Sequence, residues 1–119
     1  MNLVEFYNAI GGGYEDVMSR LLTEKRVYKY VLKFASAEEF ANTLAALDAG
    51  QAEDAFKASH NLKGVCLNLG LGNLSKSAVA LCDSLRGGVI PENIVELRKN
   101  LEDDYRLVTE LIPRIAPVL

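Results

Sequence analysis

The only histidine of the chain, His60, lies between Lys57 and Lys63 in the stretch SHNLKGVCLNLG. A neutral imidazole has an unprotonated ring nitrogen, which can act as a nucleophile, a proton acceptor or a metal ligand. The two lysines stand three residues before and three residues after it, so both can reach an anion on the ring if the segment is helical. Phosphate brings negative charge that needs neutralising, so this pattern favours a histidine that accepts and holds a phosphoryl group.

Gly64 follows His60 by one turn of the predicted helix, in a position where glycine costs about 1 kcal/mol relative to alanine. On a helical wheel His60, Gly64, Lys57 and Leu67 lie away from the predicted buried face. We therefore expect Gly64 to leave room for a bulky partner beside the imidazole. The residues predicted to face the core are Ala52, Ala55, Phe56, Ser59, Leu62, Cys66 and Leu69.

Helical periodicity extends over almost the whole chain, and no segment alternates as a strand does. A short first helix is predicted at 14–22, after Gly11–Gly13, which we interpret as a flexible turn. The segment 23–49 forms either two helices or one long bent helix, and the stretch around His60 forms a helix at 51–69. Two further helices are predicted, from residue 73 to Gly87-Gly88 and from residue 91 onward. Amphipathic helices with short connections predict an all-α antiparallel bundle.

Several residues are expected at helix ends because of their side chains or backbone freedom. Thr23 and Asn73 are predicted N-caps, and Ser36 begins the capping-box pattern Ser-Ala-Glu-Glu. Gly50 is predicted to adopt the left-handed conformation that ends a helix. Pro91 is expected in the first turn of the last helix, where proline is tolerated.

The composition excludes several classes of protein. The chain has 119 residues, enough for one domain with one core, and we predict a single domain over 1–119. Half of the residues are hydrophobic and 24% are charged, which is typical of a globular protein. The formal net charge of −3 argues against nucleic-acid binding. No apolar run approaches the roughly 20 residues of a membrane span, and the N-terminus lacks a basic signal-peptide region.

We expect the protein to be cytoplasmic, with Cys66 and Cys82 as free thiols. In a helical hairpin about residues 70–72 the two cysteines lie at levels too far apart for a disulfide. Two cysteines and one histidine also cannot supply the four ligands of a structural zinc site. A metal or haem bundle needs ligands on facing helices and is disfavoured for the same reason.

The stretch around His60 resembles the histidine-containing phosphotransfer (HPt) domain family of bacterial and eukaryotic phosphorelays. The matching pattern is histidine, two residues, Lys-Gly, five residues and glycine, here His60, Lys63, Gly64 and Gly70. The upstream segments RVYKYVLKF and LDAGQAEDAF and the downstream segment LCDSLRGG match the family layout in order and spacing. The resemblance is strongest over 14–88, and the last helix is compatible with it.

The resemblance implies a four-helix bundle, here with a short additional N-terminal helix, whose exposed histidine exchanges phosphoryl groups with receiver aspartates. It implies that His60 is the phosphoacceptor, Lys63 stabilises the phosphate, Gly64 admits the receiver and Gly70 shapes the bend between the central helices. Lys57 is a secondary candidate for holding the anion.

The expected partners are response-regulator receiver domains and a hybrid sensor histidine kinase, with neither nucleic acid nor membrane involved. The resemblance implies no cofactor of the domain's own, because the receiver supplies Mg²⁺. It also implies a phosphocarrier rather than an autonomous kinase, and no nucleotide-binding loop is found in the sequence. A monomer is expected for a carrier that presents one face.

The chain departs from the family pattern at Cys66 and Leu67, where small residues are common. Cys66 is predicted to fill space in the core, and Leu67 to join an apolar docking rim. Asp83 is interpreted as a solvated charge.

Two alternatives stay open. The first is a helical adaptor in which His60 is incidental. The second is the phosphoacceptor domain of a chemotaxis-type histidine kinase, which would continue into further kinase domains. The start at Met1 and the end at Leu119 favour the expectation of a stand-alone protein.

Overall fold

Seven α-helices and one short 3₁₀ helix make up the ordered elements of the protein, and there is no strand. A computed structural model describes residues 1–119. The helices and the absence of any strand confirm the all-α prediction. The helices are α1 Leu3–Ala9, α2 Tyr14–Leu21, α3 Glu24–Ala35, α4 Glu39–Asp48, α5 Ala52–Asn68, α6 Asn73–Ser84 and α7 Ile94–Leu111, followed by the 3₁₀ helix Ile112–Arg114.

The helices α4 to α7 form the predicted antiparallel four-helix bundle. Helix α4 packs on α5, α5 on α6 and α6 on α7, with short turns joining the first three. The N-terminal part contains the predicted helix as α2, and also α1, which the sequence analysis missed. Helix α1 begins with a capping box, in which the Asn2 side chain accepts from the Glu5 N–H and the Glu5 carboxylate accepts from the Asn2 N–H.

The core is one cluster of 22 buried side chains drawn from every helix. Partly buried rings pack against this cluster, where Tyr105 of α7 stacks on Phe40 of α4 at 3.7 Å between ring centroids and lies 5.8 Å from Phe34 of α3. None of the helices combines the length and the apolar character needed to cross a bilayer.

Two of the predicted helix ends are confirmed. The Thr23 hydroxyl accepts a hydrogen bond from the Arg26 N–H at 3.2 Å, which caps α3. Gly50 has φ +69° directly after α4, and the following Gln51 N–H donates to the Ala46 carbonyl at 2.9 Å. This is the Schellman arrangement that satisfies the last carbonyls of a helix.

Three other expectations at helix ends were wrong. The Ser36 hydroxyl donates back to the Lys33 carbonyl of α3, and α4 starts at Glu39 without a side-chain cap, so 23–49 forms two helices. Asn73 is the first residue of α6 rather than its cap, and its N–H donates to the carbonyl of Ile10. Pro91 precedes α7 in a separate turn, because the helix begins only at Ile94.

The glycines of the N-terminal turn pack against the turn between α5 and α6, so the expectation of a flexible Gly11–Gly13 turn was wrong. The Gly13 N–H donates to the Gly70 carbonyl at 3.1 Å. A Cβ on Gly12 would lie 2.6 Å from that same carbonyl oxygen, and a Cβ on Gly72 would lie 2.3 Å from the Gly11 oxygen. Two backbones therefore touch here at a distance that only glycine permits.

Replacing Gly72 with alanine should destabilise the protein by about 3 kcal/mol or more. The φ of +59° is unfavourable for alanine, and the clash is with backbone that cannot move aside. Urea denaturation followed by circular dichroism measures the change. The control is Gly87→Ala, where a Cβ meets nothing within 4 Å, and it should stay within about 0.5 kcal/mol of the wild type. Equal stability of the two variants would contradict the described contact.

Candidate functional site

His60 lies in the middle of α5, on the side that faces solvent. The opposite side of the helix is buried as predicted, since Ala55, Ser59, Leu62 and Cys66 are all fully buried. Phe56 is half-buried at the edge between the two sides, as is Ala52. The apolar spacing of α5 therefore turns the imidazole outward by packing the other face into the core.

The imidazole borders a shallow depression that the end of α6 helps to form. Its lining residues are Phe56, Lys57, His60, Asn61 and Arg86. The Phe56 ring lies 6.0 Å from the imidazole, centroid to centroid, and the Arg86 guanidinium lies 5.5 Å from the Phe56 centroid. The aromatic ring of Phe56 thus supports both the histidine and a cation from the neighbouring helix.

Three cationic side chains lie near His60, and they differ in the carboxylates that they contact. Lys57 is 3.7 Å from Glu53 in an exposed pair, which leaves its ammonium largely solvated. Arg86 contacts Asp83 at 3.1 Å in another exposed pair, so Asp83 is an ion-pair partner as well as a solvated charge. Lys63 is half-buried and takes part in no ion pair.

The surface on the other side of His60 is open and apolar. A Cβ on Gly64 would meet no atom within 4 Å, so the backbone is bare to solvent at this point. Further along the same side, the Leu67 side chain is 49% exposed. Leu67 borders a groove whose other lining residues are Ser75, Lys76, Val79 and Ala80 of α6.

The C-terminal end of α5 is fixed by hydrogen bonds from the N-terminal helices and by its own turn. Gly70, at φ +64°, lets the Leu71 N–H donate to the Cys66 carbonyl at 3.0 Å. The Arg20 guanidinium donates to the carbonyls of Leu67 and Asn68 at 2.9 Å each. The Tyr7 hydroxyl donates to the Leu69 carbonyl at 2.7 Å. These bonds satisfy carbonyls that a helix end leaves without partners.

The two cysteines are buried and free, so they contribute to the core and not to the exposed site. Burial raises the pKa of the Cys66 thiol to about 12, and the nearby Glu39 carboxylate adds to this shift. The thiol is therefore protonated at neutral pH, which makes it a weak nucleophile.

The structure brings most of the predicted site residues onto one surface. Gly70 is not part of this surface, because it lies buried in the turn between α5 and α6. His60, Lys57, Lys63, Gly64 and Leu67 all come from α5 and line its solvent side. Two features of the site were not predicted from the sequence, the support of the imidazole by Phe56 and the third cation, Arg86. The sequence feature that could have indicated Arg86 is its place just before Gly87-Gly88, at the end of the helix that pairs with α5.

The surface around His60 can bind an anion at the imidazole. A solvent-exposed imidazole can be approached by a second protein, and cations on both sides of it attract negative charge. No group of three or more histidine, cysteine, aspartate and glutamate side chains lies close enough to hold a metal ion.

The family model described as the Hpt domain matches residues 32–113, which is more than half of the chain. This match confirms the resemblance that was inferred from the residues around His60. No curated protein and no solved structure matches the chain. The matched region contains α4 to α7 and the whole of the surface around His60, whereas α1 and α2 lie outside it.

Replacing Gly64 with alanine should stabilise the protein by about 1 kcal/mol. Alanine is the better helix former at this interior position of α5, and its Cβ would enter open space. Urea denaturation measures the difference. A loss of stability would show that the bare backbone at Gly64 has a structural role, which the geometry argues against.

Proposed function

Because this chain belongs to the Hpt domain family, we propose that His60 accepts a phosphoryl group from a receiver aspartate and passes it to another receiver. Domains of this family are phosphocarriers in two-component signalling and have no kinase activity of their own. The observation that carries the proposal for this chain is the setting of its only histidine. The imidazole is exposed, lies among three cations and has a bare backbone beside it at Gly64.

The transfer begins with the lone pair of the neutral His60 Nε2 attacking the phosphorus of the aspartyl phosphate. A P–N bond forms while the P–O bond to the aspartate breaks, and the aspartate leaves as a carboxylate. The reverse reaction, with a second receiver, regenerates the free imidazole. No group of the domain has to move a proton from a hydroxyl, because the ring nitrogen is already a nucleophile.

Electrostatic stabilisation from the domain comes from the cations beside the imidazole. The transition state spreads negative charge over three phosphoryl oxygens, and preorganised cations lower its energy. Lys63 supports this role best, since it is half-buried next to His60 and has no competing carboxylate. Arg86 and Lys57 are already paired with Asp83 and Glu53, so we assign them a secondary role in attracting the acidic partner.

Docking of the receiver uses the apolar side of the same surface. Leu67 and Val79 border the groove between α5 and α6, about 10 Å along the helix from the histidine. An apolar contact there fixes the orientation of the partner, while the bare backbone at Gly64 lets its active site reach the imidazole. A polar rim and an apolar centre are usual in protein interfaces.

The Mg²⁺ for the reaction comes from the receiver in this proposal, and the domain needs no cofactor of its own. The proposed partners are response-regulator receiver domains and a hybrid sensor histidine kinase. The domain acts as a monomer that presents one face to each partner in turn.

The replacement His60→Gln should abolish phosphoryl transfer, because glutamine has no nucleophilic ring nitrogen. The measurement uses receiver domains from the same genome, charged with labelled phosphate, and follows the label in the presence of Mg²⁺. The wild type should acquire an acid-labile, alkali-stable label, and His60→Gln should acquire none. The control Asn42→Gln, an exposed position on α4, should be labelled like the wild type.

The same assay separates the proposal from the adaptor alternative. If His60→Gln still binds the receivers as the wild type does, and neither protein is labelled by any of them, the domain is an adaptor. Label on His60→Gln would mean that another residue is the acceptor.

The replacement Lys63→Ala should slow transfer by about 10- to 100-fold without abolishing it, because it removes one charge next to the phosphoryl group. Arg86→Ala should reduce the rate by a smaller factor, since that cation is exposed and shared with Asp83. Single-turnover rates at saturating receiver measure both effects. Lys99→Ala removes an exposed cation of α7 and serves as the control. A Lys63→Ala rate equal to that control would contradict the assigned role.

A further inference from the structure

Helix α3 carries four cations on its exposed side. They are Lys25, Arg26, Lys29 and Lys33, and we call them the α3 basic face. Lys25, Lys29 and Lys33 follow one another at intervals of four residues, so they form a row about 12 Å long that winds about 80° around the helix. Like charges at this spacing destabilise a helix, and nothing in the packing of α3 requires them, because its buried side consists of Val27, Val31 and Phe34.

None of these four cations has an ion-pair partner within the protein. Elsewhere six of the nine lysines and arginines contact a carboxylate, and the exceptions, Lys63, Lys76 and Arg114, do not follow one another along one helix. On α3 the only acidic residue is Glu24, and its carboxylate accepts a hydrogen bond from the Tyr14 hydroxyl at 3.1 Å. The charge of the α3 basic face is therefore available to a binding partner outside the chain.

Apolar surface accompanies the row of cations on both sides. Tyr30 is 41% exposed, and the ammonium groups of Lys29 and Lys33 lie 5.8 and 5.4 Å from its ring centroid. On the other side Leu32 is 42% exposed and borders a groove with Tyr28 and Val118. Cations beside an apolar groove are suited to a partner that is both acidic and amphipathic.

The α3 basic face is separate from the surface around His60. The residues that line the groove beside α3 come from 23–32 and the C-terminal segment, whereas α5 and α6 line the surface around His60. The face approaches α5 only at Tyr30 and Lys33, which border a groove with Val65 and Asn68. A helix seated in the groove beside Val118 therefore leaves His60 open.

We propose that the α3 basic face is a second docking surface, and that it binds an acidic amphipathic helix of a partner protein. Carboxylates at every fourth position of that helix match the spacing of Lys25, Lys29 and Lys33. Its apolar side chains enter the groove bordered by Leu32 and Val118.

The charge distribution of the chain favours this partner over an anionic bilayer. Apart from the four cations, nine lysines and arginines face sixteen aspartates and glutamates, so the rest of the chain has a formal charge of −7. A broad anionic surface meets that negative charge as well as the basic face, whereas a single acidic helix contacts only the row of cations.

A second copy of the chain is a poorer match for the same row. The most acidic helix is α7, but Arg98, Lys99 and Arg106 are interleaved with its carboxylates and contact Glu102 and Asp103. No helix of this protein offers an uninterrupted acidic row of similar length.

The test titrates the full ¹⁵N-labelled chain with a synthetic helical peptide of about five turns. The peptide carries glutamate at every fourth position with leucine on the adjoining side, and a scrambled peptide of the same composition is the control probe. We expect amide shifts at 25–33 and near Val118, with little change around His60. Raising the salt concentration should weaken binding, because the contacts are exposed charges.

The variant Lys29→Glu/Lys33→Glu should bind the peptide about tenfold more weakly. The matched control is Lys99→Glu/Arg106→Glu, which changes the net charge equally on α7 and should stay within about twofold of the wild type. Both variants alter exposed side chains, and circular dichroism checks that each is folded.

Four outcomes would overturn the proposal. The first is no shift on α3 with the patterned peptide, and the second is equal binding of the scrambled peptide. The third is binding of α3 to phosphatidylglycerol vesicles but not to the peptide, which would assign the face to a membrane. The fourth is a shift on α3 that depends on protein concentration alone, which would assign it to a second copy.

Discussion

The contact between two glycine turns, Gly11–Gly13 and Gly70–Gly72, is the constraint on which the geometry of the site depends. The left-handed backbone at Gly70 ends α5 and reverses the chain into α6. The N-terminal turn then binds the Gly70 carbonyl and approaches Gly72 closely enough to exclude any side chain. The turn thereby fixes α6 against α5, which brings Arg86 beside the phenyl ring of Phe56.

One face of helix α5 stabilises the fold by packing into the core, whereas the other face carries groups that have no partner within the protein. Buried side chains such as Leu62 anchor it, and hydrogen bonds from Arg20 close its C-terminal end. The solvent side gains little stability, since Gly64 weakens the helix and Lys63 has no partner. Such a surface is costly within the free domain, and in the proposed function it is used when a second protein brings negative charge to His60. The stability lost on this face is offset by packing elsewhere.

The sequence was informative for several features that depend on residues close together in the chain, although the local predictions for Ser36 and Pro91 were wrong. The spacing of apolar residues predicted which side of α5 is buried, and Gly50 was correctly predicted to end α4. The capping role of Asn73 was wrong, because a long-range contact at Gly72 decides how α6 begins. The proximity of Arg86 to the site was missed for a similar reason, since it depends on how two helices align.

The location of the phosphoryl group is the central claim, and NMR on the phosphorylated chain tests it most directly. The chain is charged by a phosphorylated receiver, and ³¹P spectra with ¹⁵N-edited imidazole spectra then identify the bonded atom. We predict one phosphoramidate signal, coupled to the Nε2 of His60, with amide changes confined to the solvent side of α5 and the end of α6. A phosphorus signal on any other residue, or on the protein with an unchanged imidazole spectrum, would contradict the account.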